Sequence, residues 1–184
     1  MAEKPYKLGI LVGRFQTVHL GHCMMIGKAA ELCERVGIFV GSSQEFRTAK
    51  NPFTYEEREE MLRAVCPECV SIFPLPDIGV GNNARWGEYV LKNVLDRFGT
   101  MPELSVSGKE ERRASWLEGE LGAEVAELYV PKTIDISATA MREFFLRDDR
   151  AAWQSYTDER LWGLYDALRE AVIASKDNLD TKSI

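Results

Sequence analysis

The chain has 184 residues, of which 45% are hydrophobic and 28% are charged, a composition that excludes an intrinsically disordered protein. Acidic residues outnumber basic residues by 29 to 23, and the formal net charge of -6 disfavours binding to long nucleic acids. No stretch is apolar enough to span a membrane, so we expect a cytoplasmic protein whose phosphate ligands are held by a local basic cluster.

Short apolar runs alternate with amphipathic segments through the first part of the chain, a pattern typical of βα units. Residues 7–12 form an apolar run that suits a strand covered on both faces. Thr54 and Glu57 have the spacing of a capping box, which predicts the start of a helix. The elements expected up to this point are a strand over 7–12, a helix over about 21–35, a strand over 36–41, a helix over about 54–65 and a strand over 70–75.

The alternation of strands and helices continues through the rest of the chain. A loop rich in glycine and asparagine over 77–83 leads into an amphipathic helix. The last residues, 176–184, are polar, and we expect them to fray. The further elements expected are a helix over about 85–98, a strand over 104–107, a helix over 110–121, a strand over 125–130, a helix from about Thr139 and a helix over about 158–174.

This order of elements predicts an α/β fold: a Rossmann-like, doubly wound parallel sheet of five strands, with helices on both faces and a C-terminal helical extension. We expect a single domain over 1–184, with its core at about 7–146, C-terminal helices at about 147–175 and a polar tail at 176–184. Such sheets bind ligands at the carboxyl ends of their strands, near the switch point. The loops that matter for function are therefore those after Val12, Ser42, Leu75, Ser107 and Val130.

The loop after the first predicted strand contains residues suited to binding phosphate. An arginine, a glutamine and both histidines of the chain lie within residues 13–22. The following helix start offers free N–H groups and a partial positive charge, and Gly21 lets the backbone approach a ligand closely. A lone histidine here would more often be a cap or a core residue. The placement of both His19 and His22 in this loop favours a functional role, because both can reach the same phosphate oxygens.

A second helix start, over 136–142, has similar properties. Ser137 or Thr139 can cap the helix, and Arg142 projects from it one turn later. A cap alone would be commonplace. The loop over 13–22 strengthens the functional interpretation of this segment, because strands near a switch point bring both helix starts to one cleft.

The four cysteines favour packing over chemistry. Cys23 and Cys33 are expected on different faces of one helix. Cys66 and Cys69 form a Cys-x-x-Cys sequence, but it follows a helix instead of starting one, and tetrahedral zinc would need two further ligands. We predict no metal site built by the protein alone, and any role of Cys66 and Cys69 stays open.

Two strings carry a resemblance to a known family. Residues 13–22, Gly-Arg-Phe-Gln-x-x-His-x-Gly-His, and residues 136–142, Ile-Ser-x-Thr-x-x-Arg, resemble the class I nucleotidyltransferases with their His-x-Gly-His signature. Within that superfamily, three further segments are similar to archaeal-type nicotinamide-nucleotide adenylyltransferases. These segments are 40–44, 50–54 with Glu57 and Arg58, and 74–78.

The resemblance implies that nicotinamide mononucleotide attacks the α-phosphate of ATP and gives NAD and pyrophosphate, with Mg²⁺ as cofactor. It implies that His19, His22 and Arg142 are catalytic, with both histidines on ATP phosphates and His22 at the α-phosphate. Arg142 is expected to hold the leaving phosphates together with Ser137 and Thr139. The residues expected to bind ATP are Gly13, Arg14, Phe15, Gln16, Gly21, Ser107, Gly108, Ile136, Ser137 and Thr139.

For the mononucleotide, Asn83 and Trp86 match an Asn-x-x-Trp of the family, in which the tryptophan stacks on the nicotinamide ring. Ser42, Phe53 and Arg58 lie in the segments that the resemblance places around the same substrate. From sequence position alone, Trp86 is equally suited to a place in the core. Arg58 is flanked by glutamates, so it is equally suited to an exposed helix surface.

Some expectations stay open. Thr17 stands where the family often has proline, and Ser107-Gly108-Lys109-Glu110 stands where archaeal members commonly have Gly-Asn, so the loop that holds adenine is undetermined. The alternatives are a pantetheine-phosphate adenylyltransferase, a cytidylyltransferase or a nucleotide-sensing module without turnover. The preference between nicotinamide and nicotinic acid mononucleotides is also open. The family implies a homo-oligomer, and nothing in the sequence extends far enough for the pyrophosphohydrolase domain of some bacterial relatives.

Overall fold

The computed structural model describes residues 3–108 and 115–180. Its first elements are β1 (Tyr6–Gly13), α1 (Leu20–Leu32), β2 (Cys33–Gly41), α2 (Tyr55–Val65), β3 (Val70–Leu75) and α3 (Ala84–Phe98). They are followed by β4 (Leu104–Ser107), β5 (Ala126–Tyr129), α4 (Ala138–Leu146), α5 (Arg150–Ser155) and α6 (Tyr165–Asp180). The described chain also contains 3₁₀ helices at Ser115–Leu117, Glu120–Gly122 and Glu159–Leu164.

The strands form one parallel sheet in the order β3-β2-β1-β4-β5. The chain moves outward from β1 through β2 and β3, and then returns to the other side of β1 as β4 and β5. The loops after β1 and β4 therefore diverge, and the crevice between them is where sheets of this kind bind ligands. The predicted Rossmann-like α/β fold is confirmed, with five parallel strands and a C-terminal helical extension.

The two faces of the sheet carry separate apolar clusters. In β1, the buried Leu8 and Ile10 pack in a cluster with residues of α3. Leu11 points to the opposite face, into a cluster with residues of α1, α2 and the C-terminal helices. Burial on both faces explains why this strand is a continuous apolar run in the sequence. The predicted placement of helices on both faces is therefore confirmed.

The start of α2 follows the prediction closely. The hydroxyl of Thr54 accepts from the backbone N–H of Glu57 at 3.2 Å, and the Glu57 carboxylate accepts from the N–H of Thr54 at 2.8 Å. This reciprocal pair satisfies two N–H groups that would otherwise lack partners at the helix start. The capping box predicted from the sequence is confirmed.

The region over 110–121 differs from the predicted helix. Residues 110–114 lie outside the described part of the chain, and the remainder forms the short 3₁₀ helices around Gly119 instead of an α-helix. A Cβ on Gly122 would lie 2.4 Å from the Leu117 carbonyl oxygen, so the backbone passes close to itself here and the position suits glycine.

The C-terminal part also differs from the prediction. The short helix α5 begins after Asp149, whose side chain accepts from the N–H of Ala152, and the sequence did not predict it. Asp158 precedes a 3₁₀ helix, and α6 then runs to Asp180, beyond the predicted end at 174. Residues 176–180 of the expected polar tail are thus helical, whereas 181–184 lie outside the described residues. None of the described helices is long and apolar enough to cross a membrane.

Candidate active site

The start of α1 holds the two histidines against each other. His19 is the N-cap residue, and its ring centroid lies 3.9 Å from that of His22 at an interplanar angle of 30°. The backbone N–H of His19 donates to Nδ1 of His22 at 3.4 Å. Because Nδ1 accepts, Nε2 carries the proton when the ring of His22 is neutral. A neutral His22 is thereby prepared to donate a hydrogen bond from Nε2.

His19 is a neutral group at physiological pH. Burial, with a smaller contribution from the positive charge of Lys132, lowers the pKa of His19 from 6.5 to about 4. The side chain is 8% exposed, and its Nδ1 has no hydrogen-bond partner among the described residues. A neutral imidazole with an unused ring nitrogen can make a hydrogen bond to a ligand at low desolvation cost.

Gly21 makes room for the ring of His19. A Cβ at this position would lie 3.0 Å from Cε1 and 3.1 Å from Nδ1 of that ring. Any larger residue would push the imidazole out of its place above the first turn of α1. The sequence predicted that this glycine allows a ligand to approach, and the structure adds that it accommodates a histidine.

Arg142 joins the second helix start to the first. At the start of α4, the hydroxyl of Ser137 accepts from the N–H of Ala140 at 3.2 Å. One turn later, Arg142 donates from Nη1 to the carbonyl of Gln16 at 2.8 Å and from Nη2 to the hydroxyl of Thr139 at 3.1 Å. The start of α4 therefore lies against the loop that precedes α1, as the sequence predicted for two helix starts near a switch point.

Positive charge accumulates around this junction. Burial is the main reason that the pKa of Arg142 is lowered, and the charge of Arg14 lowers it further. Burial also lowers the pKa of Arg58 to about 10, again with a contribution from Arg14. These guanidinium groups stay protonated at neutral pH, so they repel one another, and a bound anion would relieve that repulsion.

Gln16 and Phe53 lock the loop after β1 to the segment before α2. The Gln16 amide donates to the carbonyl of Phe53 at 3.3 Å and accepts from its N–H at 3.0 Å. Gln16 is 2% exposed and Phe53 is fully buried. The sequence predicted contact with ATP for Gln16 and with the mononucleotide for Phe53. In the structure both side chains lie inside the protein and link two loops, and their contacts with the substrates stay predictions.

Arg58 is a buried clamp between two loops of the cleft. It is fully buried in α2 and donates to the carbonyl oxygens of Arg14, Gly41, Ser42 and Thr54 over 2.9–3.2 Å. The expectation of an exposed helix surface is wrong, because the guanidinium is buried, and a contact with substrate stays a prediction. By donating to carbonyl oxygens at the ends of both strands, Arg58 holds the carboxyl ends of β1 and β2 together.

The other residues expected to bind ATP lie around the crevice. Phe15 and Ile136 are 3% and 5% exposed, and their side chains pack in the core. Gly13 ends β1, and Ser107 ends β4 on the other side of the crevice. A Cβ on Gly108 would lie 2.8 Å from the sulfur of Met25, which brings this loop close to α1.

The Asn83 and Trp86 pair lies at the start of α3. Asn83 is the N-cap residue, and its side chain accepts from the N–H of Trp86 at 3.2 Å. Trp86 is half-buried, and its ring lies 5.4 Å from that of Tyr89. The indole is therefore partly packed and partly accessible, a position between the two expectations from sequence. Ser42 is buried at the end of β2 with a positive φ of 47°.

Sequence reasoning missed several residues that shape the site. Asn51 is 1% exposed and bonds to Arg14 through its side-chain oxygen. It lies within the segment 50–54 that carried the family resemblance, so its position was visible although its role was not. The carbonyl of Tyr156 accepts from the N–H of Leu20 at 2.9 Å, and a backbone contact of this kind leaves no signal in the sequence.

The cysteines are free thiols within the described chain. Burial raises the pKa of Cys23 to about 11 and that of Cys66 to about 12, so neither is a reactive thiolate. Cys33 begins β2 and pairs with Tyr6, which corrects its predicted place in a helix. Among residues 3–108 and 115–180, no cluster of three or more His, Cys, Asp or Glu side chains is arranged to hold a metal ion.

Comparison with known proteins links this site to curated relatives. The chain is 41% identical over 97 residues to a nicotinamide-nucleotide adenylyltransferase of Thermococcus onnurineus (strain NA1). The matched residues cover 50% of each chain. It is 44% identical over 91 residues to the corresponding protein of Pyrococcus furiosus, covering 46% of this chain and 47% of that one. The chain spans about half the length of the curated relatives it matches. The resemblance seen in the motifs is confirmed over that part.

Solved structures share the fold. A bifunctional NMN adenylyltransferase/ADP ribose pyrophosphatase from Francisella tularensis superposes with a TM-score of 0.75 at 23% identity, covering 94% of this chain and 52% of that one. The same protein complexed with AMP and a Mn ion gives a TM-score of 0.74 at 24% identity, covering 94% of this chain and 51% of that chain.

A family model described as cytidylyltransferase-like matches residues 10–144. The match runs from the middle of β1 to the last turn of α4 and so includes both helix starts and the loops between them. Because it covers well over half of the sequence, the chain belongs to the cytidylyltransferase-like family.

Proposed function

We propose that this protein transfers the adenylyl group of ATP to nicotinamide mononucleotide, giving NAD and pyrophosphate. The observation that carries the proposal is the junction at which Arg142 joins the start of α4 to the loop before the histidine pair of α1. Two helix starts and at least two guanidinium groups meet there, as a polyphosphate requires. The identity of about two fifths to archaeal nicotinamide-nucleotide adenylyltransferases supports the choice of substrate.

The chemistry fits residues that carry no strong base. The phosphate of the mononucleotide is already ionised at neutral pH, so its oxygen attacks the α-phosphorus without prior deprotonation. The bond between the α-phosphorus and the bridging oxygen breaks, and pyrophosphate leaves with that electron pair. The protein accelerates this exchange by aligning the two reactants and by neutralising the charge spread over the transferring group.

Each group of the site has a place in this mechanism. Neutral His19 donates to an ATP phosphate, and Nε2 of His22 donates to the α-phosphate, where charge develops. Arg142 and Arg14 stabilise the outgoing β- and γ-phosphates together with Ser137. The mutual repulsion of the arginines in the free protein makes triphosphate binding more favourable, because the anion removes it.

The mononucleotide is assigned to the side of the cleft formed by the end of β2 and the start of α3. The accessible part of Trp86 offers an aromatic face for the pyridine ring. Asn83 holds the first turn of α3 and thereby orients the indole. Ser42 contributes through its backbone, while Phe53 and Arg58 support the site from inside the protein.

Magnesium fits this site as a companion of the triphosphate. The described residues include no carboxylate cluster that would hold the ion, and the groups that meet in the cleft are donors suited to phosphate oxygens. Mg²⁺ keeps several waters and takes oxygens from phosphate groups, so it would neutralise charge on the leaving pyrophosphate.

The decisive experiment is a substrate panel. The purified protein is incubated with ATP and MgCl₂ and, in parallel, with nicotinamide mononucleotide, nicotinic acid mononucleotide or phosphopantetheine; a further series replaces ATP with CTP. Pyrophosphate release and the mass of the product are measured. We expect NAD from ATP and nicotinamide mononucleotide. Release only with phosphopantetheine or only with CTP would overturn the substrate, and release with no pair would overturn the enzymatic role.

The setting of the reaction belongs to the same proposal. A cytoplasmic location and a homo-oligomer of single-domain subunits over 1–184 are the arrangement we propose for it. Light scattering coupled to size-exclusion chromatography measures the mass of the assembly directly. A mass equal to one chain of 20.8 kDa would contradict the oligomer without affecting the proposed reaction.

A further inference from the structure

The segment between β2 and α2 contains a buried amide with a charged group at each end. Asn51 is 1% exposed, and its Oδ1 accepts from Nη1 of Arg14 at 3.2 Å. Its Nδ2 donates to the carboxylate of Glu45. Glu45 and Arg14 are themselves exposed, so the buried amide lies between two charged side chains that reach the surface.

The chemistry of these three groups allows one orientation only. A carboxylate accepts and does not donate, and a guanidinium donates and does not accept. The Asn51 amide must therefore turn its nitrogen to Glu45 and its oxygen to Arg14. An alanine or leucine at position 51 would satisfy neither neighbour, and an aspartate would satisfy Arg14 while repelling Glu45.

Hydrogen bonds fix the backbone around Asn51, and the fixed backbone keeps the side-chain amide in place. The N–H of Asn51 donates to the hydroxyl of Thr48 at 3.0 Å, and its carbonyl accepts from the N–H of Thr48 at 3.1 Å. The following residue, Pro52, is buried, and its carbonyl accepts from Nη1 of Arg47 at 2.7 Å. The fixed backbone of this turn therefore holds the Asn51 side chain, and with it the Oδ1 acceptor for Arg14, in one place.

Arg14 needs such a support because of its cationic neighbours. Its charge contributes to the lowered pKa values of both Arg58 and Arg142, so it lies within electrostatic reach of two other guanidinium groups. An exposed arginine without a fixed acceptor would turn toward solvent, away from that repulsion. Glu45 supplies a compensating negative charge at the far end of the amide.

We infer that Asn51 is a positioning residue which, backed by Glu45, holds the guanidinium of Arg14 in the orientation that receives the phosphates of ATP. This inference rests on the proposed function, since it concerns how the same cleft grips ATP. It assigns Asn51 and Glu45 no contact with substrate. Their effect passes through Arg14 alone, and that restriction makes the inference testable.

A double-mutant cycle tests the restriction. Asn51→Ala is expected to lower kcat/KM for ATP about tenfold, mainly through KM for ATP, while KM for the mononucleotide stays within about twofold. In an Arg14→Ala background the same substitution should change kcat/KM by less than about twofold. An equal loss in both backgrounds would overturn the inference, because Asn51 would then act by another route.

A charge-swapped pair provides a rescue that a purely structural role does not predict. Asn51→Asp alone should lose activity, because the introduced carboxylate faces Glu45. Adding Glu45→Gln supplies an amide that donates to this carboxylate, which still accepts from Arg14, and kcat/KM should return to within about threefold of wild type. If the double variant is folded but no more active than Asn51→Asp alone, the inference fails.

Asn93→Ala is the matched control for the loss of an asparagine amide. Its Nδ2 donates to the carbonyl of Tyr89 at 2.9 Å within α3, so this hydrogen bond is not shared with Arg14. We expect this variant to keep wild-type kcat/KM while its melting temperature changes to an extent similar to that of Asn51→Ala. A fall in kcat/KM as large as that of Asn51→Ala would show that amide loss acts through stability, and would overturn the inference.

Calorimetric binding of the non-hydrolysable analogue α,β-methylene-ATP with MgCl₂ separates the inference from the proposed function. If wild type turns over none of the substrates, the proposed function fails, but binding of the analogue still reports on Arg14. Asn51→Ala should then weaken binding about as much as Arg14→Ala, and the double variant should bind no more weakly than Arg14→Ala. Wild-type affinity in Asn51→Ala would overturn the inference.

Discussion

Acidification should destabilise the protein through His19. Burial lowers the pKa of His19 from 6.5 to about 4, so between these values the unfolded chain binds a proton that the folded protein rejects. The stabilising contribution of the neutral ring is therefore complete above about pH 6.5 and is lost as the pH falls toward 4. The two pKa values correspond to about 2 kcal/mol lost at pH 5 and about 3 kcal/mol at pH 4 or below.

The comparison with His19→Gln isolates this contribution. Glutamine is neutral at every pH of interest, so carboxylates that titrate elsewhere affect both proteins equally. Urea unfolding is followed by tryptophan fluorescence at pH 8, 6 and 5, and the free energy of unfolding is obtained by linear extrapolation. We expect the difference between wild type and variant to change by about 2 kcal/mol between pH 8 and pH 5, at the expense of wild type.

The refuting result is a difference that stays constant within about 0.5 kcal/mol over this range. It would mean that His19 takes up a proton as easily in the folded protein as in the unfolded chain. The ring would then titrate near its ordinary pKa of 6.5 and be partly protonated at neutral pH, and burial would no longer be the reason that His19 acts as a neutral donor in the proposed mechanism.

Other predictions concern single side chains. His22→Ala should lower turnover about 10²- to 10³-fold with an unchanged melting temperature, because the donor at the α-phosphate is lost; near-normal kcat would remove His22 from the mechanism. Trp86→Ala should raise KM for the mononucleotide and leave KM for ATP unchanged in steady-state assays, and an unfolded variant would instead assign the indole to the core. Gly87→Ala should destabilise the protein by about 1–3 kcal/mol in urea unfolding, because its Cβ would lie 1.6 Å from the carbonyl oxygen of Trp116. The exposed Gly27 of α1 has nothing within 4 Å of such a Cβ, and Gly27→Ala should stabilise by up to about 1 kcal/mol; the reverse order of the two variants would contradict the packing of α3.

The sequence predicted best those features that depend on neighbours along the chain. β3 and β4 have the bounds expected from their apolar runs, and the capping box of Thr54 formed as its spacing implied. Tight turns governed by distant packing were less accessible. The segment around Gly119 resembles a helix by composition, but its 3₁₀ geometry depends on contact with α3, which only the folded chain supplies.

The same distinction explains the errors at the site. Arg58 looks exposed in the sequence because its neighbours are glutamates, whereas in the structure it is fully buried. Its burial depends on carbonyl oxygens contributed by Arg14 and Gly41, more than 15 residues away in the chain. Which loops end beside which helix is fixed by the sheet, so local patterns identify the residues of the cleft better than they identify their partners.

The C-terminal helices belong to the structural support of the cleft as much as the sheet does. The carbonyl of Tyr156 occupies the N–H of Leu20, the first residue of the histidine-bearing helix α1. The buried hydroxyl of Ser175 in α6 lies 3.5 Å from the carbonyl of Pro52, beside the amide that holds Arg14. The free N–H groups of a helix start keep one orientation toward a ligand only when the helix itself is held in place. If the proposed function holds, the extension supports the ATP site through these contacts, and substitutions that loosen α6 should raise KM for ATP in steady-state assays more than they lower kcat.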